Sequence, residues 1–328
     1  MDIMTKPCMP SVLAVALVGI LAITAAQARQ STPPKGPAGG PAAAEPTKVE
    51  IGNSKDLLAY FEKIGYTPKA WKSGIREVPR VYVAEIPSQW REKGSKELPV
   101  FDKKQIFFRV IAPIILRINE LLLEERNRAV PIARRMAAGE DVAAEDAAWF
   151  RDLAMHYGVL GFRDDPLDAP RIEEVLRRVD VVPPSLALAQ AASESGWGTS
   201  RFADEGNSLF GQWSWSEGIK PAGQRTESHG DHRIAAFEST GASVVAYVRN
   251  LNTHHAYQDF RRKREDLRRR DLPIRGSDLV DTLIAYSERG QVYVDELKSL
   301  MRVNRLGPVD DAYLRKMEIV FLVPKVSQ

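Results

Sequence analysis

The sequence holds a single cysteine, Cys8, in 328 residues. Without a second cysteine no intramolecular disulfide can form, so an apolar core has to hold the fold together. The chain also lacks an internal repeat and a glycine-rich loop of the kind that cradles phosphate groups. Its formal net charge of +3 is too small to indicate a nucleic-acid partner. These absences argue against a disulfide scaffold, a repeat protein and a nucleic-acid-binding protein.

The first 28 residues have the pattern of a secretory signal. Lys6 precedes an apolar stretch at 12–23, and Ala26-Gln27-Ala28 is typical of a cleavage site. The stretch is short for a membrane-spanning helix, and an uncleaved anchor is the alternative. We therefore expect an exported, periplasmic protein with no membrane span in its mature chain. Residues 29–48 are rich in Pro, Ala and Gly and predict a disordered linker.

The rest of the chain divides into three parts. Apolar residues at helical spacing predict a helical N-terminal region over 49–168, to which we assign no chemistry. Residues 169–308 combine helical patterns with one turn-rich stretch and hold the candidate functional residues. Residues 309–328 are expected to form a C-terminal tail.

A glutamate at a helix end is the main catalytic candidate. Pro183 and Pro184 favour a helix start, an alanine-rich segment follows, and Gly196 and Gly198 favour its end. This places Glu194 in the last helical turn, where partial burial and the helix dipole should raise the pKa of its carboxyl. A general acid that works near neutral pH needs such a carboxyl. The simpler alternative is an ordinary surface glutamate at a frayed helix end.

Aromatic and amide side chains follow this helix. Aromatic rings can stack on the C–H faces of sugars, and amides can bind hydroxyl or acetamido groups. The candidates are Trp197, Asn207, Phe210, Gln212, Trp213 and Trp215. For Trp197 and Phe210 a place in the core is an equally good interpretation.

Residues 219–238 change to a turn-rich, extended pattern, which predicts a small β-hairpin with Glu227 near its tip. His229 and His232 lie close together there. No acidic ligand accompanies them at a matching spacing, so we predict no metal site.

Seven of the ten residues at 261–270 are basic. We interpret this run as a solvated helix face, and contact with an anionic envelope surface is the sharper hypothesis.

Three blocks in order resemble the glucosaminidase domain of glycoside hydrolase family 73. They are residues 188–198, the Asn-x-Leu-Phe-Gly block at 207–211, and the pair Tyr286 and Tyr293. Further stretches at 107–120, 247–254 and 286–290 are similar to the bacterial Bax-like proteins, which are related to the flagellar peptidoglycan hydrolase FlgJ. Together the blocks span most of residues 100–305.

The resemblance implies a mainly α-helical α+β fold, lysozyme-like, with a cleft between a helical lobe and a small β-lobe. It implies an endo-β-N-acetylglucosaminidase that cleaves peptidoglycan glycan strands after N-acetylglucosamine and needs no cofactor. By residue, it matches Glu194 to the general acid, Tyr286 and Tyr293 to the cleft tyrosines, and Asn207, Phe210 and Gly211 to the Asn-Leu-Phe-Gly block.

The second carboxylate stays open. Glu227 aligns with the family's β-lobe glutamate, and Asp231 and Glu238 are alternatives. In an inverting glycosidase the acid and the base lie roughly 6.5–9.5 Å apart. In a substrate-assisted reaction the substrate's acetamido group attacks instead, and Tyr286 stabilises the developing charge. A lytic transglycosylase and a non-catalytic peptidoglycan-binding protein remain as alternative functions.

Overall fold

A computed structural model describes residues 46–87, 90–91, 95–214, 217–221 and 233–325. Within these ranges the chain is mainly α-helical with three small sheets, which confirms the predicted fold class. The helices are α1 (Ser54–Lys63), α2 (Pro68–Lys72), α3 (Ser95–Glu97), α4 (Val100–Ala137), α5 (Ala144–His156), α6 (Ala169–Arg178), α7 (Pro184–Ser195), α8 (Arg201–Gly206), α9 (Thr240–Thr253), α10 (Gln258–Arg269), α11 (Gly276–Leu279) and α12 (Gln291–Val303). Short 3-10 helices lie at His255–Tyr257, Val280–Tyr286 and Gly307–Asp311. The strands are β1 (Thr47–Ile51), β2 (Glu77–Val78), β3 (Val81–Val83), β4 (Trp213–Ser214), β5 (Arg233–Ile234), β6 (Tyr313–Leu314) and β7 (Val320–Pro324).

The long helix α4 lies at the centre of the fold. Its apolar residues recur every three or four positions, so Ile111, Ile114 and Ile118 share a buried face. At 1.5 Å per residue, its 38 residues extend about 57 Å. Helices α6, α7 and α9 all pack against α4. This packing places α7, the helix that carries Glu194, inside the molecule.

Helix α7 is buried because its side chains are small or apolar, and every residue from Leu186 to Ala192 is buried. Two prolines leave its first turn without a cap of its own. Asp310 provides one, since its carboxylate accepts hydrogen bonds from Ser185 N at 2.8 Å and Ser185 Oγ at 2.7 Å. The same carboxylate accepts a bond from Gly276 N at 2.9 Å. A carboxylate at a helix N-terminus satisfies free N–H groups and the helix dipole together.

Substituting Gly276 with alanine is expected to lower the free energy of unfolding by about 1–3 kcal/mol, because the added methyl overpacks the contact between α11 and α7. A Cβ at this position would lie 2.2 Å from Ser185 Oγ and 3.0 Å from the backbone nitrogen of Leu186. Gly307→Ala is the matched control, since a Cβ there meets no atom within 4 Å. Urea unfolding of the two variants checks this. Equal stability would contradict the close approach.

The two ends of the described chain meet in one parallel sheet. Strand β7 lies between β1 and β3, with Thr47 and Val81 both paired to Val320. A second parallel pair joins β2 to β6. Residues 309–328 were expected to form a tail, but their described part forms two strands, β6 and β7. The apolar run of β7 packs into a small core on α4 through Val320 and Leu322.

The β-hairpin predicted over 219–238 is described only at its two ends, where Ile219 forms an antiparallel bridge to Ile234. Strand β5 pairs with β4, which lies before the predicted range, and Trp213 is opposite Ile234. Glu227, Asp231, His229 and His232 lie outside the described residues, and so does Trp215.

The basic run at 261–270 is solvated only in part: five of its seven basic residues are exposed, as predicted, and two are not. Arg261 and Arg264 are fully buried. Arg268 donates two hydrogen bonds, of 2.8 and 3.1 Å, to the buried carboxylate of Asp180. The guanidinium groups of Arg261, Arg264 and Arg268 turn inward because Asp180 and several backbone carbonyls accept hydrogen bonds from them. The run therefore offers less charge to an anionic surface than the sequence indicates.

No helix among the described residues is long and apolar enough to cross a membrane.

Candidate active site

Glu194 lies in the last turn of α7, as the sequence predicts. The helix ends at Gly196, which has a left-handed φ of 56°. The turn is fixed by Ser195, whose hydroxyl donates to the Ala191 carbonyl and accepts a bond of 2.8 Å from Gly198 N. Ser195 is buried, whereas Glu194 is only partly buried. The helix end therefore holds the Glu194 carboxyl at the edge of the core.

The surroundings of Glu194 favour its protonated form. Burial raises the pKa of its carboxyl above the usual range, and Glu296 adds to this rise. The Tyr293 hydroxyl and the Arg289 guanidinium act in the opposite direction. Burial outweighs them, so the net change in the pKa is upward. The direction is the one expected of a general acid.

Four tyrosines surround this carboxyl. Tyr286 and Tyr293 stack with ring centroids 5.6 Å apart and planes 3° apart. Tyr257 and Tyr247 lie 5.9 and 6.5 Å from Tyr286. Burial raises the pKa of all four hydroxyls. They therefore stay protonated near neutral pH and can donate hydrogen bonds.

The tyrosines are linked to α7 through Gln190, which the sequence analysis did not select as a site residue. Gln190 Nε2 donates to the Tyr293 hydroxyl at 2.9 Å, and the Tyr247 hydroxyl donates to Gln190 Oε1 at 2.6 Å. Gln190 is four positions before Glu194, so both side chains lie on the same face of α7. The spacing of four residues from Glu194 was the one signal in the sequence that could have selected Gln190. Its partners Tyr247 on α9 and Tyr293 on α12 are distant in sequence, so the hydrogen bonds themselves could not be predicted.

The segment 207–211 brings Gly211 next to the candidate acid. Asn207 has a left-handed φ of 50°, and its amide binds the backbone of Ile86 and Phe237. The ring of Phe210 is buried and stacks on Tyr247 at 3.9 Å. A Cβ on Gly211 would lie 3.4 Å from Glu194 Oε2, and the φ of Gly211 is 59°. The segment thus positions a side-chain-free residue against the carboxyl.

Two further predicted substrate contacts have distinct surroundings. Trp197 packs edge-on against Phe107 and Phe108 at 5.8 and 5.1 Å, with Lys104 over its ring at 4.7 Å. The indole of Trp197, which lies in the loop after α7, therefore packs against α4. Gln212 has a buried side-chain oxygen with no hydrogen-bond partner among the described residues. Such an acceptor is costly unless another group satisfies it.

The carbonyl of Phe210 accepts a hydrogen bond of 3.2 Å from the Tyr286 hydroxyl.

Of the proposed second carboxylates, Glu238 is described and lies exposed just before α9. Within the described ranges no group of three or more His, Cys, Asp or Glu side chains could hold a metal ion.

Comparison with known proteins gives two matches. Residues 169–306 match the family described as mannosyl-glycoprotein endo-beta-N-acetylglucosaminidase. Protein bax of Escherichia coli (strain K12) is 33% identical over 207 residues, which are 62% of this chain and 70% of that protein. No solved structure matches the chain. The matched family range includes Glu194, Gln190 and the four tyrosines.

Proposed function

This chain belongs to the Bax-like family of proteins with a glucosaminidase domain, and we propose that it is an exported endo-β-N-acetylglucosaminidase with Glu194 as its general acid. The domain is that of a glycoside hydrolase acting on peptidoglycan. In this proposal the bond cleaved is the β-1,4 linkage on the reducing side of N-acetylglucosamine. The observation that carries it is the partly buried Glu194 carboxyl, whose pKa burial raises, beside the tyrosine cluster.

The proposed reaction begins with proton donation. Glu194 gives its proton to the glycosidic oxygen as the bond from that oxygen to the sugar C1 breaks. The bonding electrons leave with the oxygen, and positive charge develops on the sugar ring. Because the ionised carboxylate has no proton to give, turnover should fall as the pH rises through the pKa of Glu194.

The positively charged C1 can be attacked by either of two nucleophiles. In the first, Glu227 takes a proton from a water molecule whose oxygen attacks C1, and Asp231 and Glu238 are alternative bases. In the second, the substrate's acetamido oxygen attacks C1, and water later opens that intermediate. Tyr286 supports the second route, because its hydroxyl lies in the tyrosine cluster and is held by the Phe210 carbonyl.

We assign substrate contacts to the surroundings of the carboxyl. The absence of a side chain at Gly211 leaves room beside Glu194. Gln212 is assigned to the substrate's acetamido group: its side-chain oxygen has no partner among the described residues, and because that oxygen is buried the side chain has to turn outward to accept the acetamido N–H. Trp197 offers a ring to the substrate, while Asn207 and Phe210 support the segment from behind. The Tyr293 ring is buried and stacked on Tyr286, so its part is the contact of its hydroxyl with Glu194.

Export is part of the proposal. Peptidoglycan lies outside the cytoplasmic membrane, and residues 1–28 have the pattern of a secretory signal. These residues lie outside the described ranges. Cell fractionation is expected to recover the protein in the periplasm or envelope.

The chemistry of the new glycan ends tests the proposed activity. Purified peptidoglycan is digested with the protein, reduced with borohydride and examined by mass spectrometry. Reduced N-acetylglucosamine ends are the expected result. Anhydromuramic ends would instead indicate a lytic transglycosylase. Bound glycan without new ends would indicate a binding protein.

A further inference from the structure

We propose that Gln190 and Tyr247 are positioning residues that act through Tyr293 to orient the Glu194 carboxyl. Two buried hydrogen bonds join Tyr247, Gln190 and Tyr293 in one line, and the Tyr293 hydroxyl acts on the Glu194 carboxyl, which shares a face of α7 with Gln190. This inference rests on the proposed function, because Glu194 is the general acid only within it. The line of contacts itself can be tested without turnover.

The direction of donation along this line follows from the orientation of the Gln190 amide. The Tyr247 hydroxyl donates to Gln190 Oε1, and the Gln190 amide donates to the Tyr293 oxygen. The amide nitrogen of Gln190 cannot accept a proton from Tyr293. The Tyr293 hydroxyl hydrogen is therefore left for Glu194, and its hydrogen bond lowers the pKa of that carboxyl.

Burial makes this arrangement rigid. Tyr247 and Gln190 are fully buried, and Tyr293 is nearly so. The Tyr247 ring is fixed by stacking on Phe210 at 3.9 Å, and the Tyr293 ring by stacking on Tyr286 at 5.6 Å. Neither ring can move away from Gln190 without breaking a stack. The line thus connects α9, α7 and α12 at one point.

The consequence for catalysis concerns the position of the acid's proton. A protonated carboxyl keeps one oxygen that only accepts, and Tyr293 donates to that oxygen. The proton then lies on the other oxygen, free for the glycosidic oxygen of the substrate. If the line is broken, the Tyr293 oxygen becomes available to accept the Glu194 proton, and this internal bond competes with the substrate.

Other charged groups also affect the pKa of the Glu194 carboxyl, so the variants used as a test have to leave these groups unchanged. Arg289 pairs with Glu296 at 2.7 Å, and the two charges oppose each other at Glu194. Neither touches Gln190 or Tyr247 through a described hydrogen bond. The groups that face Glu194 are Tyr247 from α9, Tyr257 and Tyr286 from the 3-10 helices, Arg289 from the following loop, and Tyr293 and Glu296 from α12.

The test is a carboxyl titration of Glu194 in the full chain labelled with ¹³C-glutamate, its signal assigned by its loss in Glu194→Gln. Gln190→Met keeps the side-chain volume and removes both bonds. It is expected to raise the pKa of Glu194 by roughly 0.5–1 unit, because donation from Tyr293 weakens. Tyr293→Phe is expected to raise it at least as far. In a glycan-cleavage assay, the alkaline limb of the pH profile should move in the same direction.

The double variant Gln190→Met with Tyr293→Phe distinguishes an effect transmitted through Tyr293 from a general change in packing. If Gln190 acts through Tyr293, then Gln190→Met adds no further shift in a Tyr293→Phe background. An additional shift, or an unchanged pKa in Gln190→Met alone, would overturn the proposal. Leu188→Ala is the control, because it loosens the same buried helix without touching the line and should leave the pKa unchanged.

A milder variant covers the case in which Gln190→Met does not fold. Tyr247→Phe removes one hydroxyl and is expected to give a smaller upward shift that disappears in the Tyr293→Phe background. A shift that persists there would overturn the proposal. Because the titration needs no substrate, a protein that shows these shifts but cleaves no glycan would refute the proposed function and leave the positioning line intact.

Discussion

Replacing Glu194 with glutamine is expected to lower the rate of glycan cleavage by about 10²–10⁴-fold, the usual contribution of a general acid. Glutamine has nearly the same shape, and its carbonyl oxygen can still accept a bond from the Tyr293 hydroxyl. The variant should therefore fold and bind glycan like the wild type. Release of soluble fragments from labelled peptidoglycan, together with thermal unfolding, measures both properties.

Glu205→Gln provides the matched control for this substitution. Glu205 is exposed on α8 and pairs with Arg201 at 3.3 Å. Exposed pairs of this kind contribute little to stability, so both activity and melting temperature should stay close to wild type. Equal losses in Glu205→Gln and Glu194→Gln would show that the assay reports general damage. Full activity in Glu194→Gln would remove Glu194 from the mechanism.

Removing the buried carboxylate of Asp180 is expected to have the largest effect on stability. Asp180 binds Arg268 and lies 3.9 Å from Arg264 and 3.7 Å from Arg126. In Asp180→Ala the buried guanidinium of Arg264 would lose its counter-charge, and breaking such a pair costs about 3–5 kcal/mol of unfolding free energy. Urea unfolding at neutral pH measures the loss.

Asp266→Ala is the control, because its pair with Arg270 is exposed and should change stability by no more than about 0.5 kcal/mol. If Asp180→Ala is no less stable than Asp266→Ala, the buried cluster does not stabilise the fold.

The pH dependence of this cluster follows from the same contacts. Burial alone would raise the pKa of Asp180, but Arg264, Arg268 and Arg126 together lower it below the usual value. A lowered pKa in the folded state stabilises the protein above the unfolded pKa of about 3.9. That stabilisation is lost as the pH falls through the folded pKa. The stability gap between wild type and Asp180→Ala should therefore narrow in acid, and a constant gap would contradict the cluster's ionisation.

Glu194 could be predicted because its signals are local in sequence. Two prolines, a run of alanines and two glycines define one helix and its end. Burial then raises the pKa of the single carboxyl in the last turn. The mainly helical fold class was also predictable, since long apolar periodicity such as that of α4 lies within one segment.

Gln190 and Tyr247 could not be selected as site residues from the sequence. Gln190 is 103 residues from Tyr293 and 57 residues from Tyr247 along the chain, and a buried glutamine or tyrosine has no distinctive pattern of its own. The central place of β7 was missed for the same reason, because its partners β1 and β3 come from the other end of the described chain.

The basic run at 261–270 shows what composition alone leaves out. Most of its charges are exposed, as predicted, but Asp180 and the carbonyls of Leu251 and Val181 accept hydrogen bonds from Arg268, Arg261 and Arg264. Internal acceptors of this kind are visible only once α10 is packed against α6 and α9.

The measurement that tests the central claim most directly is the rate at which wild-type protein and Glu194→Gln form reducing N-acetylglucosamine ends on the same peptidoglycan. The amounts of bound protein are made equal, so that binding cannot account for a difference. We expect wild-type protein to form these ends and Glu194→Gln to form them at least about 10²-fold more slowly. Equal rates in the two proteins, or no such ends with the wild type, would contradict the role of Glu194 as the general acid of a glucosaminidase.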